Sequence, residues 1–203
     1  MNFNKILETI RSRKNPVIFD RKNSFIYFPN NKVAQVSIAR GALGDRPIIW
    51  KDDHKKWERK MARLNQERFE RTFTFAIVRN PFDRAISAFK YLQSKGVIQP
   101  EINFKAFCYD FLRVQGISFN PHFDIQSNGL FCDGHLIPDF IARFENLQQD
   151  WQTISKAIKA PKELPHKNKS LREKDYTNYY DNFSKNLIST LYAEDLSNFN
   201  YEF

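Results

Sequence analysis

Short apolar runs rich in aromatic and β-branched residues predict three β-strands in this sequence. They lie at residues 24–28, 72–78 and 139–144. Such runs are typical of strands that are buried within a sheet. The run over 72–78, which reads TFTFAIV, predicts a strand most clearly.

Elsewhere, apolar positions recur at the three-to-four-residue spacing of one helix face. The helices that this spacing predicts lie at residues 33–42, 50–71, 81–95, 103–114, 147–158 and 181–197, with long loops at 115–134 and 160–174. Strands that alternate with helices favour an α/β fold of three layers, in which helices flank a central, mostly parallel β-sheet. A length of 203 residues fits a single domain over residues 1–203.

Composition narrows the class of protein. The chain has 41% hydrophobic and 27% charged residues, a globular mixture that excludes disordered, collagen-like and solenoid classes. Its net charge of +9 predicts an anionic partner. No apolar stretch approaches the about 18 residues that a membrane span needs, and the first residues do not resemble a signal peptide. Cys108 and Cys132 lack the spacing of zinc ligands, so we expect a reduced, cytoplasmic protein without a metal.

The turn after the first predicted strand, at residues 29–37, is one candidate for chemistry. A strand that leads through a turn into a helix directs backbone N–H groups at one point, which favours a phosphate. Lys32 adds a positive charge there, and Ser37 adds a hydroxyl donor. No Ser or Thr follows Lys32, so this is not a Walker A loop. Spacing alone leaves open a second interpretation, in which Lys32 is an ordinary exposed lysine.

The turn after the strand at 72–78 is the other candidate. Arg79 follows this strand directly, at the edge where open α/β sheets bind ligands. Its planar guanidinium suits phosphate oxygens, and Ser87 on the next helix is placed to face the same phosphate. The alternative is that Asp83 and Arg84 form a surface ion pair and that Ser87 has no role.

Together, the two turns resemble motifs of the family 2 sulfotransferases, the carbohydrate sulfotransferase group with a P-loop-like fold. The family motif RNPxDRxxSxF stands complete as Arg79-Asn80-Pro81-Phe82-Asp83-Arg84-Ala85-Ile86-Ser87-Ala88-Phe89. The first turn is similar to the family's PK-small-A-x-T-S and reads Asn31-Lys32-Val33-Ala34-Gln35-Val36-Ser37. Further segments resemble the family in order, at residues 121–126, 140–147, 164–170 and 176–203.

This resemblance implies a sulfotransferase that uses 3'-phosphoadenosine 5'-phosphosulfate (PAPS) and releases 3'-phosphoadenosine 5'-phosphate (PAP). The acceptor would be a hydroxyl group, of a glycan or of another molecule. The resemblance implies that Lys32 contacts the leaving phosphate and that Arg79 and Ser87 contact the 3'-phosphate. It implies further nucleotide contacts for Asn168 and Ser170. The residues implied to cradle the phosphate are Val33, Ala34, Gln35, Val36 and Ser37. His122 is the candidate base, because neutral imidazole can take a proton near pH 7. The alternative is that His122 is a loop histidine that packs beside Phe123.

Two residues depart from the family pattern. Asn31 stands where the family usually has proline, and Val36 stands where it usually has threonine. The second change removes a hydroxyl donor, so Ser37 or backbone groups would have to compensate for it.

Two other kinds of function stay open at this point. An ATP-dependent kinase would also need a phosphate-binding turn, although no GK[ST] pattern is present. A degenerate nucleotide- or nucleic-acid-binding protein would explain the positive charge and the aromatic residues. The basic residues are spread along the chain without an RNA-binding motif, so we expect no nucleic-acid partner.

Overall fold

The computed structural model describes residues 2–20, 24–44, 48–49, 53–164, 173 and 175–203. Contacts within the chain divide it into two compact units. Unit 1 comprises Met1–Asn30, Ala34–Val78 and Asn128–Lys167, and unit 2 comprises Asn31–Val33, Arg79–Ser127 and Asn168–Phe203. The single domain over residues 1–203 stays a prediction.

The described strands all belong to unit 1. They are β1 (Ile18–Asp20), β2 (Phe25–Phe28), β3 (Ile48–Ile49), β4 (Phe73–Val78), β5 (Phe131–Cys132), β6 (His135–Leu136) and β7 (Phe140–Arg143).

The described helices occur in both units. They are α1 (Phe3–Ser12), α2 (His54–Ala62), α3 (Gln66–Glu70), α4 (Pro81–Ser94), α5 (Phe104–Ala106), α6 (Arg113–Gln115), α7 (Leu147–Ile158), α8 (Asn182–Leu191) and α9 (Ala193–Phe199), with π-helical segments at Ser37–Ala42 and Phe107–Leu112.

The main sheet of the described residues has five strands in the order β3-β1-β2-β4-β7. Strands β2, β4 and β7 are parallel, with Ile26 opposite Thr74 and Ile77 opposite Ala142. Strand β1 pairs with β2 in antiparallel register, and β3 pairs with β1 in antiparallel register at the edge of the sheet. The α/β class with a central, mostly parallel sheet is therefore confirmed, and its outer part is mixed.

Aromatic packing stabilises the sheet of unit 1. The ring of Tyr27 on β2 stacks on Phe75 of β4, with centroids 4.8 Å apart. Strand β4 is buried from Thr74 onward, as its apolar run predicted. On α7, Trp151, Ile154 and Ile158 are buried at helical spacing, so this helix covers part of the sheet.

The core of unit 2 forms around α4. Phe82, Phe89 and Leu92 of this helix are buried in one apolar cluster with Phe104 and Ile188. The Tyr180 hydroxyl donates to the Phe82 carbonyl at 2.8 Å, which joins the chain before α8 to the first turn of α4. Helix α4 is therefore the element on which the rest of unit 2 packs.

Most of the elements predicted from the sequence are confirmed. The strands at 24–28, 72–78 and 139–144 correspond to β2, β4 and β7, and the helices at 81–95 and 147–158 correspond to α4 and α7. The helix predicted over 50–71 is wrong as one piece, because Asn65 caps a new helix by accepting from the Arg68 N–H. The segment 181–197 is likewise two helices, α8 and α9.

The sequence patterns missed α1 and the strands β1, β3, β5 and β6, of which β5 lies in the segment 115–134 that was predicted as a loop. These strands have two or three residues, too few to show a period of their own. Both cysteines are free and buried. Within the part of the chain that the structure describes, no helix is long and apolar enough to cross a bilayer.

Candidate active site

The turn after β2 has an unusual backbone. Lys32 and Ala34 have φ angles of 65° and 61°, in the left-handed region that costs a non-glycine residue about 1–2 kcal/mol. At the start of the turn, the buried Asn30 amide donates to the Ile77 carbonyl of β4 at 3.1 Å. A strained turn anchored in this way keeps one conformation because its surroundings impose it.

Local rules explain the turn from β4 into α4. Asn80 is the N-cap of the helix, and its side-chain oxygen accepts from the Phe82 N–H at 3.0 Å. Pro81 occupies the first helical position, where its missing N–H has no cost. The sequence Arg-Asn-Pro therefore places Arg79 between the end of the strand and the cap of the helix.

The Arg79 guanidinium is buried and held from two sides. Its Nε and Nη2 donate to Asp83 Oδ2, with Nε at 2.7 Å and Nη2 at 2.6 Å. Its Nη1 donates to the Lys32 carbonyl at 3.0 Å. The two charged side chains are only 6% and 13% exposed. The alternative in which Asp83 pairs with Arg84 at the surface is therefore wrong.

One face of α4 carries Asp83, Ser87 and Tyr91 at four-residue spacing. Ser87 is buried at 9% exposure, one turn from Asp83. At Tyr91, the Lys32 Nζ lies 4.1 Å from the ring centroid. The His122 ring meets the same tyrosine edge to face, with centroids 4.6 Å apart. This face of α4 is where the predicted site residues of unit 2 meet.

The His122 imidazole lies in an environment that disfavours its protonation. Burial of the ring lowers its pKa below the usual value, and the positive charges of Lys32 and Arg84 lower it further, against the opposing effect of Asp124. The Nδ1 atom is buried and has no hydrogen-bond partner among the described residues. A substrate proton would therefore reach this ring through Nε2.

Buried polar contacts hold the backbone on either side of His122. Arg84 donates to the His122 carbonyl at 3.2 Å and to the Asp124 carbonyl at 2.6 Å. The Tyr192 hydroxyl donates to the Phe123 carbonyl at 2.7 Å. These donors come from α4 and from the end of α8, so the segment is tied to two elements of unit 2.

Asp195 of α9 completes this support. Its carboxylate accepts from the backbone N–H groups of Gln126 and Ser127 at 2.9 and 2.8 Å, and from the Ser127 hydroxyl at 2.8 Å. The Gln126 amide in turn pairs with the backbone of Arg79 in both directions at 2.9 Å. The chain after His122 and the chain at Arg79 therefore share one hydrogen-bond network.

Not every predicted site residue belongs to this group. Unit 2 brings together Lys32, Arg79 and His122, and Ser87 lies on the same helix face. Val33 is also in unit 2 and is fully buried. Ala34, Gln35, Val36 and Ser37 belong to unit 1, where Val36 is 43% exposed and Ser37 only 5%. Asn168 and Ser170 lie outside the described residues.

The interpretation of the sequence overlooked three contributors. Asp83 follows Arg79 by four residues, a spacing typical of helix ion pairs that could have indicated their contact. Tyr91 continues the same face from Ser87. Asn31 donates through its amide to the Pro121 carbonyl at 2.8 Å, which no sequence pattern indicates.

The described residues contain no group of three or more His, Cys, Asp or Glu side chains that could hold a metal ion. The candidate site instead presents a guanidinium, an ammonium and a neutral imidazole. Two anchored cations suit a phosphorylated ligand, and the imidazole suits a proton transfer.

Comparisons with known proteins agree with this chemistry. A family model described as "Sulfotransferase family" matches residues 17–202 of the chain. Searches of curated proteins and of solved structures give no match.

The Asp195 network allows a test of how the His122 segment is held. We expect Asp195→Asn to lower the free energy of unfolding by about 3–5 kcal/mol, because it removes a buried charge from beside Arg84, 3.8 Å away, and replaces an accepting oxygen by a donor. Denaturant unfolding measures this change. Asp133→Asn, at an exposed ion pair with Lys5, is the control and should leave the midpoint unchanged. Equal midpoints for both variants would contradict the structural role of Asp195.

Proposed function

Since the chain belongs to the Sulfotransferase family, and its activity is therefore sulfotransfer, we propose that its donor is PAPS and its acceptor a carbohydrate hydroxyl. The observation that carries this proposal is the convergence of Lys32, Arg79 and His122 around α4. A cytoplasmic location stays a prediction.

Arg79 and Ser87 are the residues that we propose for the 3'-phosphate. The Arg79 guanidinium is already oriented by Asp83 and by the Lys32 carbonyl, so little side-chain freedom is lost when a ligand binds. A buried fork of N–H donors fits a phosphate better than a sugar hydroxyl. This supports a donor with a 3'-phosphate over ADP or ATP.

Lys32 and His122 are the residues that we propose for the transfer step. The Nε2 atom of His122 takes the proton from the acceptor hydroxyl as its oxygen forms a bond to sulfur. The bond between sulfur and the phosphate oxygen breaks, and PAP leaves. Lys32 stabilises the negative charge that develops on this leaving phosphate.

For Ala34, Gln35, Val36 and Ser37 the proposed role is the one that the family resemblance implies, which is contact with the phosphosulfate. The same holds for Val33, Asn168 and Ser170. The net charge of +9 supports an anionic glycan as the acceptor.

Nucleotide titration in a calorimeter tests the donor. We expect the wild-type protein to prefer PAP over ADP and AMP, because only PAP has a 3'-phosphate. Arg79→Lys keeps the charge beside Asp83 but loses the guanidinium, so its affinity for PAP should fall about 10-fold or more, and by a larger factor than its affinity for ADP. Arg113→Ala, at an exposed arginine of α6, is the control. Equal binding of PAP and ADP by the wild type would favour the kinase alternative.

Turnover tests Lys32. We expect Lys32→Ala to lower kcat about 100-fold or more, because one donor to the developing charge is lost. The assay uses radiolabelled PAPS with chondroitin and desulfated heparin as acceptors. The matched control is Lys95→Ala, which removes a lysine further from the same Tyr91 ring, at 5.7 Å. A Lys32→Ala variant with near-normal turnover would exclude Lys32 from the step.

The pH dependence of the rate tests His122. The ring must be neutral to accept a proton, and its pKa is lowered in the folded protein. The rate kcat/KM should therefore hold at pH 7 and fall only below about pH 6.5, the ordinary midpoint of histidine. His122→Gln should lose the activity, whereas the exposed His54→Gln should keep both rate and profile. A fall in rate that begins above this midpoint would speak against His122 as the base.

A further inference from the structure

The side chains of Lys32 and His122 share one neighbour, the half-buried Tyr91 ring. The ammonium group lies 4.1 Å from the ring centroid, and the imidazole packs edge to face at 4.6 Å with an interplanar angle of 76°. We propose that Tyr91 is a positioning residue that holds the Lys32 ammonium and the His122 imidazole against one aromatic ring, in the geometry that sulfuryl transfer needs. This inference rests on the proposed function.

The ring contacts matter because hydrogen bonds to the backbone of Lys32 and His122 do not fix the rotamers of their side chains. Arg79 and Arg84 donate to the carbonyls of Lys32 and His122 and so fix the backbone at each residue. Lysine still has four rotatable bonds between its backbone and its charge. The negative face of an aromatic ring attracts that charge and narrows the positions it takes.

His122 has a second reason to depend on the ring. A histidine that acts as a base is commonly oriented by a hydrogen bond to its other nitrogen. Here Nδ1 has no such partner among the residues that the structure describes. The edge-to-face contact with Tyr91 is therefore an interaction that can orient the imidazole in place of that hydrogen bond.

Asn31 adds an independent link between the same two segments. Its amide donates to the Pro121 carbonyl, so the residue before Lys32 is tied to the residue before His122. Proline, which the family resemblance places at this position, has no such donor. The spacing of the cation and the base is thus held by an amide on one side and by Tyr91 on the other.

The consequence is a separation of binding from turnover. Tyr91 touches the two groups assigned to the transfer step, whereas Asp83 holds the arginine assigned to the nucleotide. Loss of the Tyr91 ring should therefore slow the transfer by a larger factor than it weakens nucleotide binding.

The test compares Tyr91→Phe with Tyr91→Leu. Phenylalanine keeps both ring contacts, so we expect its kcat within about threefold of the wild type, whereas leucine should lower kcat at least about 10-fold. The affinity for PAP should stay within about threefold of the wild type in Tyr91→Phe, and in Tyr91→Leu it should fall by a smaller factor than kcat. Tyr109→Leu is the control, because Tyr109 is 53% exposed and makes a similar contact with Arg113, at 4.6 Å.

A second readout needs no turnover. The titration of the His122 ring, followed by NMR and assigned with His122→Gln, should move to higher pH in Tyr91→Leu, since the ring becomes more hydrated and Lys32 is released. Arg84 and Asp124, the other charged groups that act on this ring, remain in place. If Tyr91→Leu does not fold, Tyr91→Gln makes the same comparison with a residue that favours helices.

The outcomes separate this inference from the proposed function. An active wild type with Tyr91→Leu unchanged in both kcat and His122 titration overturns the role of Tyr91 alone. Equal losses in Tyr91→Phe and Tyr91→Leu overturn it as well, because the ring contacts would then not matter. A wild type that neither binds PAP nor transfers sulfate overturns the proposed function and this inference with it.

Discussion

The geometry of the candidate site depends on the hydrogen bonds and the ion pair that the buried Arg79 guanidinium makes. This guanidinium joins α4, through Asp83, to the turn that carries Lys32, through a backbone carbonyl. A charge can be buried only when its donors are matched, because desolvation costs several kcal/mol per ion. Asp83 supplies this match and leaves Arg79 in a single orientation.

The segment that carries His122 is also held by buried charged side chains that make hydrogen bonds to its backbone. Arg84 and Asp195 are almost completely buried, and between them they bind carbonyl oxygens and N–H groups from residue 122 to residue 127. A buried network of this kind favours one arrangement, because any other would lose the hydrogen bonds that Arg84 and Asp195 make here. The backbone positions of Lys32 and His122 thus follow from two arginines, one before α4 and one within it.

The closeness of Lys32 to His122 affects both of their proposed roles. Burial lowers the pKa of the imidazole and the positive charge of Lys32 lowers it further, which favours the neutral ring. A lower pKa also makes the imidazole a weaker base. The larger fraction of neutral His122 is therefore opposed by a smaller driving force for proton transfer to the ring. In the proposed mechanism the same ammonium group also stabilises charge on the leaving phosphate. Its effect on the His122 pKa and its role in the transfer therefore both depend on where the Lys32 ammonium lies.

Features that depend on neighbouring residues were predictable from the amino-acid order. The apolar run of β4, the Asn80 cap and the Pro81 start of α4 were predictable, because strand burial, capping and a restricted φ act within a few positions. The segments at 24–28, 139–144 and 147–158 followed from the same local patterns.

Which distant groups come into contact depends on the folded arrangement of the whole chain. Asn31 reaches a carbonyl 90 positions away, and the Arg79 backbone pairs with an amide 47 positions away. The aromatic contact of Tyr91 with His122 and the antiparallel pairing of β1 with β2 and β3 likewise join residues that are not neighbours in the sequence. Residue periodicity describes which face of an element is buried, but not which distant residue packs there, because that choice depends on how the whole chain satisfies its buried polar groups.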